Sequence, residues 1–366
     1  VVNIINDDNQ LPIIGPTKRV LLYNNILILI LEIIMIADIA IHGNKRTKPY
    51  IIERDVPFKQ GEYLLMGDLK KKMVTAQQQL MNTTLFNSAD IYVHSQLGEL
   101  VFIGIDLKER WYLFPLPYFK LADRNFNQWW VEHHASLDRV NYGIKFTQYN
   151  FSGRNDKLNI YLITGYSREV YFKYEQPFAN KNLTAGFSLA FDFSRQRELN
   201  YGTLVNKQLF YKQSSFVLQN IKAEVAYLYR PAIKTRHTVR LSFNQSSVSD
   251  TILKLNPNYF PENATKVTYP ELSYTLQYFH TDYYPYPTKG YNVDFTLMHR
   301  GINHGIDLTQ FTFHSMLVKP LTPTMQVQWQ AAGLIKLPFE QPYMNQQVFG
   351  CGDIFLRGLE YYVIDG

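Results

Sequence analysis

Residues 183–194 read LTAGFSLAFDFS. The odd positions, Leu183, Ala185, Phe187, Leu189, Phe191 and Phe193, are apolar. The even ones, Thr184, Gly186, Ser188, Ala190, Asp192 and Ser194, are small or polar. A period of two turns one face of an extended chain toward an apolar phase and the other toward water. The same alternation sets His237, Val239, Leu241 and Phe243 against Arg236, Thr238, Arg240, Ser242 and Asn244. It recurs over 272–279, 291–298 and 325–332. Charges keep to one face, as a strand between lipid and a water-lined interior requires.

A soluble sandwich also has one polar face, so other features must decide. Strands of about ten residues suit a tilted bilayer crossing. Trp129, Trp130, Tyr166, Tyr229, Tyr283 and Tyr284 stand near strand ends, where interfacial belts lie. Short turns (152–156, 179–182, 322–324) contrast with longer polar loops (195–213, 246–268), the asymmetry of membrane barrels. The expectation is a mainly β chain whose residues 111–366 form a transmembrane antiparallel β-barrel. Eleven strands are expected, near 113–121, 140–149, 157–166, 168–177, 183–194, 221–230, 235–245, 271–281, 291–299, 306–318 and 325–337. Single-chain barrels close with an even number, and lipid does not tolerate unpaired edges. Further strands are therefore expected after Gly366.

The totals agree. Aromatics make up 15% of the 366 residues, with 27 Tyr and 24 Phe, which favours pleated surfaces. A mean hydropathy of −0.22 excludes a bundle of membrane helices but not a barrel. The net charge of +6 is spread along the chain, so nucleic acid is not an expected partner. Cys351 is the single cysteine, which rules out a disulfide framework and a cysteine zinc site.

Residues 1–33 read as a disordered or signal-like segment. Lys18 and Arg19 precede an apolar run, Val20 to Ile36, interrupted by Asn24, Asn25 and Glu32. Basic residues before a short apolar core are signal-like, yet no small-residue cleavage site follows. A buried strand is the other reading.

A small αβ domain is expected over 34–110. Strand 35–42 (MIADIAIH) turns at Gly43-Asn44, and Thr47 is placed to cap a helix over 48–54 with Pro49 early in it. Leu69, Met73, Ala76 and Leu80 line one face of a helix over 68–81. Strands 89–94 and 99–108 follow around the turn 96–98. The order β-α-α-β-β makes a two-layer domain. The segments IHGNKRTKPYIIERDVPFKQGE and LMNTTLFNSADIYV resemble a POTRA domain, with its Gly-Asn turn, F-x-x-G-[DE] loop and L-x-x-T-x-L-F helix end. That resemblance implies a periplasmic domain that receives unfolded chains by strand addition to a sheet edge.

Residues 348–366 read VFGCGDIFLRGLEYYVIDG, with glycines at Gly350, Gly352 and Gly358 around one cation, Arg357. Placed after an eleventh strand, FLRGLEYYVIDG resembles the inward-folding sixth extracellular loop of the BamA/TamA superfamily of outer-membrane assembly factors. The family motif [VIL]-R-G-[FY] stands here as Leu356-Arg357-Gly358-Leu359, with Leu replacing the aromatic. The segments ERWYLFPLPYFKLADRNFNQWW and GRND resemble Bacteroidota versions. The resemblance covers about residue 34 to the end. It implies POTRA domains before a sixteen-stranded barrel, the loop arginine inside the lumen against acidic residues of a later strand, and on the order of 80–100 residues after Gly366.

Catalytic motifs are lacking: no H-E-x-x-H, G-x-S-x-G or P-loop occurs. His314-Ser315 are adjacent and so point to opposite faces, and no nearby acidic cluster completes a metal site at His133-His134. No metal site, cofactor or enzymatic activity is expected. The function implied is assembly, insertion or translocation of outer-membrane proteins, with a seam between first and last strands templating client strands. Expected partners are unfolded outer-membrane protein clients, outer-membrane lipid and accessory lipoproteins. Two other readings stay open: a passive porin lined by Lys145, Lys173, Arg236 and Arg240, and the barrel part of a patatin-type phospholipase.

Overall fold

The computed structural model describes residues 18–23, 26–31, 33–122, 126, 128–132, 134–303, 305–349 and 364–365. The chain divides into two compact units, Val1–Arg110 and Trp111–Gly366.

In the first unit, β1 (Lys18–Tyr23) and β2 (Ile26–Leu31) pair antiparallel, Tyr23 opposite Ile26. The apolar run after Lys18-Arg19 thus begins with a pair of strands. Its residues, VLLY and ILILIL, are rich in strand formers on either side of Asn24-Asn25.

A four-stranded mixed sheet follows. It contains β3 (Ile33–His42), β4 (Tyr63–Leu65), β5 (Phe86–Leu97) and β6 (Leu100–Glu109) in the order β4-β3-β6-β5. The central pair β3–β6 is parallel and the rest antiparallel. Helices α1 (Pro49–Arg54) and α2 (Met66–Asn82) complete the layer. The element order is β-α-β-α-β-β, because Tyr63–Leu65 finds the free side of Ile33–Met35. Leu69, Ala76 and Leu80 of α2 are buried as the spacing predicts, together with Ile34, Ile36, Ile103 and Ile105. Lys48, not Thr47, occupies the α1 N-cap. The Thr47 hydroxyl instead donates to Glu109 Oε1 at 2.5 Å, tying the turn after β3 to the end of β6.

The second unit is an eleven-stranded antiparallel sheet. Its first strands are β7 (Leu113–Leu121), β8 (Val140–Tyr149), β9 (Lys157–Gly165), β10 (Arg168–Gln176) and β11 (Ala185–Gln196). A side hairpin of β12 (Glu198–Leu204) and β13 (Lys207–Lys212) interrupts it. The sheet resumes with β14 (Leu218–Ala232), β15 (Thr235–Val248), β16 (Lys266–Thr281), β17 (Gly290–Asn303), β18 (Ile306–Pro320) and β19 (Gln326–Leu337). Each strand pairs with its neighbours in chain order, with β12 and β13 set aside. All eleven expected strands are present at their expected places. Beyond β19, β20 (Gln347–Phe349) pairs with β21 (Ile364–Asp365).

Cross-strand partners carry the alternation across the sheet. Ile144 faces Leu162, Leu162 faces Val170, Leu189 faces Val225 and Val225 faces Leu241, and every one of them is solvent-exposed in the free chain. A continuous exposed apolar face on so large a sheet requires a covering phase, and a bilayer supplies it for tilted strands of this length. No helix among the described residues is long and apolar enough to cross a membrane.

At the end where β7 begins, the connections are short: 150–156, 177–184, 233–234, 282–289 and 321–325. The opposite end carries the long ones. These differ from plain polar loops, since 197–217 contains the β12–β13 hairpin and 249–265 contains α3 (Asp250–Leu255). Together with α4 (Tyr343–Gln346) they build a second core of Leu199, Val217, Ile252, Phe260, Ile306 and Tyr343. Trp129 and Tyr166 are buried at this end and not in an interfacial belt. The indole of Trp129 donates to the Ser136 carbonyl at 2.9 Å, which draws it inward.

Candidate functional site

On the polar face of the eleven-stranded sheet several charges pair with one another. On β14, Glu224 accepts from Arg240 of β15 at 2.8 Å and lies 3.0 Å from Lys222. Lys173 pairs with Glu175 at 3.0 Å. Lys145 sits over the rings of Tyr118 and Tyr161, 4.5 and 5.1 Å from their centroids, and Arg236 over Phe279 at 5.7 Å. Uncharged side chains fill the spaces between: Gln277 donates to the Asp294 carboxylate at 2.9 Å, and the Thr275 and Thr296 hydroxyls lie 3.0 Å apart. The four basic positions that would line an anion pore are thus each engaged by a carboxylate or an aromatic ring.

At the long-loop end, Arg300 on β17 fastens the wall to the loop core. Its guanidinium donates to Glu271 at 2.9 Å and to Asn345 Oδ1 at 2.7 Å, and it lies 5.2 Å from the Tyr269 ring centroid. Lys336 of β19 donates to the Asn345 carbonyl. The Tyr343 hydroxyl donates to Asn200 Oδ1 and lies 2.8 Å from the Thr203 hydroxyl, bridging α4 to the β12–β13 hairpin. Burial beside Tyr343 and Tyr269 pushes the Tyr259 phenol well above its usual range. No sequence motif marked this network, because its members come from strand ends and loops far apart in the chain.

Gly43 and Asn44 lie where the sequence puts a turn. Gly43 has φ +84°, and a Cβ there would stand 1.9 Å from the Leu107 carbonyl oxygen. Only glycine fits so close to β6 in that conformation. Asn44 donates to the Thr47 carbonyl at 3.1 Å. Gly350, Gly352, Leu356, Arg357 and Gly358 fall outside the described residues, as does His133.

His314 and Ser315 pair across to Ala332 and Ala331 on opposite faces of the sheet and form no hydrolytic pair. Among the described residues no cluster of three metal-ligating side chains occurs.

The edges of the sheet are β7 and β19. Strand β7 is the one with prolines on its alternate positions, Pro115 and Pro117.

None of the curated proteins matches the chain. Among solved structures, CdiB from Escherichia coli is similar with a TM-score of 0.51 at 10% identity, covering 96% of this chain and 64% of that one. BamA from Haemophilus ducreyi lacking POTRA domains 1–3 gives a TM-score of 0.48 at 14% identity, over 87% of this chain and 59% of that one. CdiB from Acinetobacter baumannii gives 0.46 at 13% identity, over 93% and 60%. The chain therefore spans less than two thirds of the length of the solved structures it resembles. At such identities the first likeness speaks to fold alone. The family model for the Omp85 superfamily domain matches residues 150–358, from the turn after β8 through the last glycine of the L-R-G motif. With more than half of the chain under that model, and the strands it spans forming one antiparallel wall, this chain belongs to the Omp85 superfamily.

Proposed function

We propose that the chain is the major part of an outer-membrane protein that inserts or translocates other proteins, without a cofactor and without breaking a bond. The observation that carries this reading is the Omp85 match laid over a wall whose outward face is apolar and whose polar face holds its basic side chains against carboxylates and aromatic rings. A wall of that kind is suited to guiding strands and ill suited to selecting ions. Residues 34–110 would be the periplasmic, POTRA-like domain. Its edge strand β5 exposes Tyr92, Val93 and Leu97, a surface that suits addition of an unfolded client strand. Outer-membrane lipid would cover the apolar face, and accessory lipoproteins would have the small sheet and its helices to bind. Arg357 and Gly358 would brace the lumen, where an unpaired cation is costly.

The test uses the full-length protein in lipid vesicles supplied with a urea-unfolded outer-membrane barrel. Folding of the client, read as heat-modifiable gel mobility, should be several-fold faster than in empty vesicles and slower with Arg357→Ala. A rate equal to that of empty vesicles would overturn the reading. A steady, anion-selective conductance in place of client folding would instead restore the porin.

A further inference from the structure

We propose that the apolar face of the wall holds one lipid A molecule, with a phosphate among Arg168, Arg195 and Arg197 and an acyl chain in the notch over Ala223. The inference rests on the outer-membrane barrel reading and adds to it one lipid at one place. The site begins with a pairing that is costly in a sheet. Arg168, the first residue of β10, stands directly opposite Arg195 of β11, and like charges so placed are destabilising. Both belong to the apolar face, because period two puts Arg168 with Val170 and Phe172 and Arg195 with Phe193 and Phe191. Arg197 follows two residues on. The guanidinium carbons of Arg168, Arg195 and Arg197 lie 5.1, 5.9 and 5.3 Å from the centroid of one ring, Phe216. Arg195 donates to Gln219 at 2.7 Å, and the Nε of Arg197 is buried with no hydrogen-bond partner. Among the described residues no carboxylate pairs with any of the three. Arg240 and Arg300, by contrast, each have a glutamate. Three clustered guanidiniums without an internal counter-charge fit an external anion, and phosphate oxygens accept from them in bidentate pairs.

The arginines stand at the long-loop end, which is the outer side of a membrane barrel. Further into the bilayer on the same face, Phe172, Phe191, Ala223 and Phe243 form one cross-strand row. Ala223 is its small, exposed member and leaves a notch between the phenyl rings. With Leu189, Val225 and Leu241 of the next row it makes a groove of about 490 Å³. Four residues of β11 separate Arg195 from Phe191, about 13 Å along the strand. An anion site and an apolar groove thus lie in line along the strand, and a phosphate joined to an acyl chain occupies both. Free phosphate fills only the upper part, and an uncharged lipid only the lower. Lipid A, a phosphorylated and acylated glycolipid, has both parts and belongs to the leaflet that the arginines face.

Native mass spectrometry of the full-length protein in detergent, titrated with lipid A or with phosphatidylglycerol, tests this. One lipid A per chain should be retained, more tightly than phosphatidylglycerol. Arg168→Gln, at an exposed position, should weaken retention about ten-fold, the worth of one charge-assisted contact. R168Q/R197Q should weaken it further. Ala223→Phe, which fills the notch with a side chain its row already carries, should weaken it several-fold with all three arginines in place. Equal retention of phosphatidylglycerol, or of lipid A by the arginine variants, would mean an unselective lipid coat and overturns the proposal. Undiminished retention by Ala223→Phe overturns it too, since the phosphate alone would then suffice. Client folding in vesicles separates the site from the assembly reading. A protein that folds clients yet retains no lipid A overturns the site alone. Retention that responds to the variants as expected, in a protein that folds no client, supports the site and counts against assembly.

Discussion

Gly43 shows what a single backbone position demands. Its turn was legible from Gly-Asn after an alternating strand, but the reason for glycine was not, because the Leu107 carbonyl that forbids a side chain lies 64 residues away. Gly43→Val combines a left-handed φ with that clash, and should cost about 3 kcal/mol in urea unfolding of the first unit. An unchanged midpoint would mean that β6 yields. Arg300 is the other such position. The side chains of Arg300 and Glu271 are 21% and 15% exposed, so removing one strands the other in a poorly hydrated site. Arg300→Ala should lower stability by about 3 kcal/mol, seen as an earlier gel-mobility transition on heating. Glu271→Gln in that background should recover part of the loss. Nothing in the sequence distinguished Arg300 from other arginines, since its partners arrive from β16 and α4.

Strands and loops differed in how far sequence disclosed them. The eleven wall strands could be read because lipid on one side and water on the other impose period two residue by residue, as in Phe187 to Phe193. The loop core could not be read, because α3 and the β12–β13 hairpin bury their apolar residues against one another with no fixed period. Thr47 departs from the cap expectation for a related reason: its hydroxyl and its N–H both donate to the Glu109 carboxylate, 62 residues away, and the helix starts one residue later. The loop core carries its own pH signature. The Tyr259 phenol is raised by burial, so the fold holds it neutral. Its contribution is fully present below the unfolded value of about 10 and is lost as pH climbs toward the folded value. Protease cleavage within 249–265 should accelerate above that pH in the parent and much less in Tyr259→Phe. Equal acceleration would assign the loss to other groups.

At the scale of the whole molecule, the two units rest on different solvents. The first has an ordinary core around Ile34, Ile36, Leu69, Leu80 and Ile103 and covers it with its own helices. The second leaves its apolar face for lipid to cover. Urea should therefore melt the first unit in a cooperative transition while the wall, in vesicles, persists until detergent and heat are applied. A single shared transition would contradict this division.

The second core has a lopsided membership: Leu199 is its earliest member, and β7 to β10 contribute none of its buried residues. Wall strands β14, β15, β16 and β18 place buried residues in that clasp, while the four leading strands reach it only through side contacts such as the Tyr166 hydroxyl on Glu198 of β12. Tension applied across the wall will therefore not spread evenly. It will concentrate in the leading leaf, which can peel like a page from a bound spine while the binding stays shut.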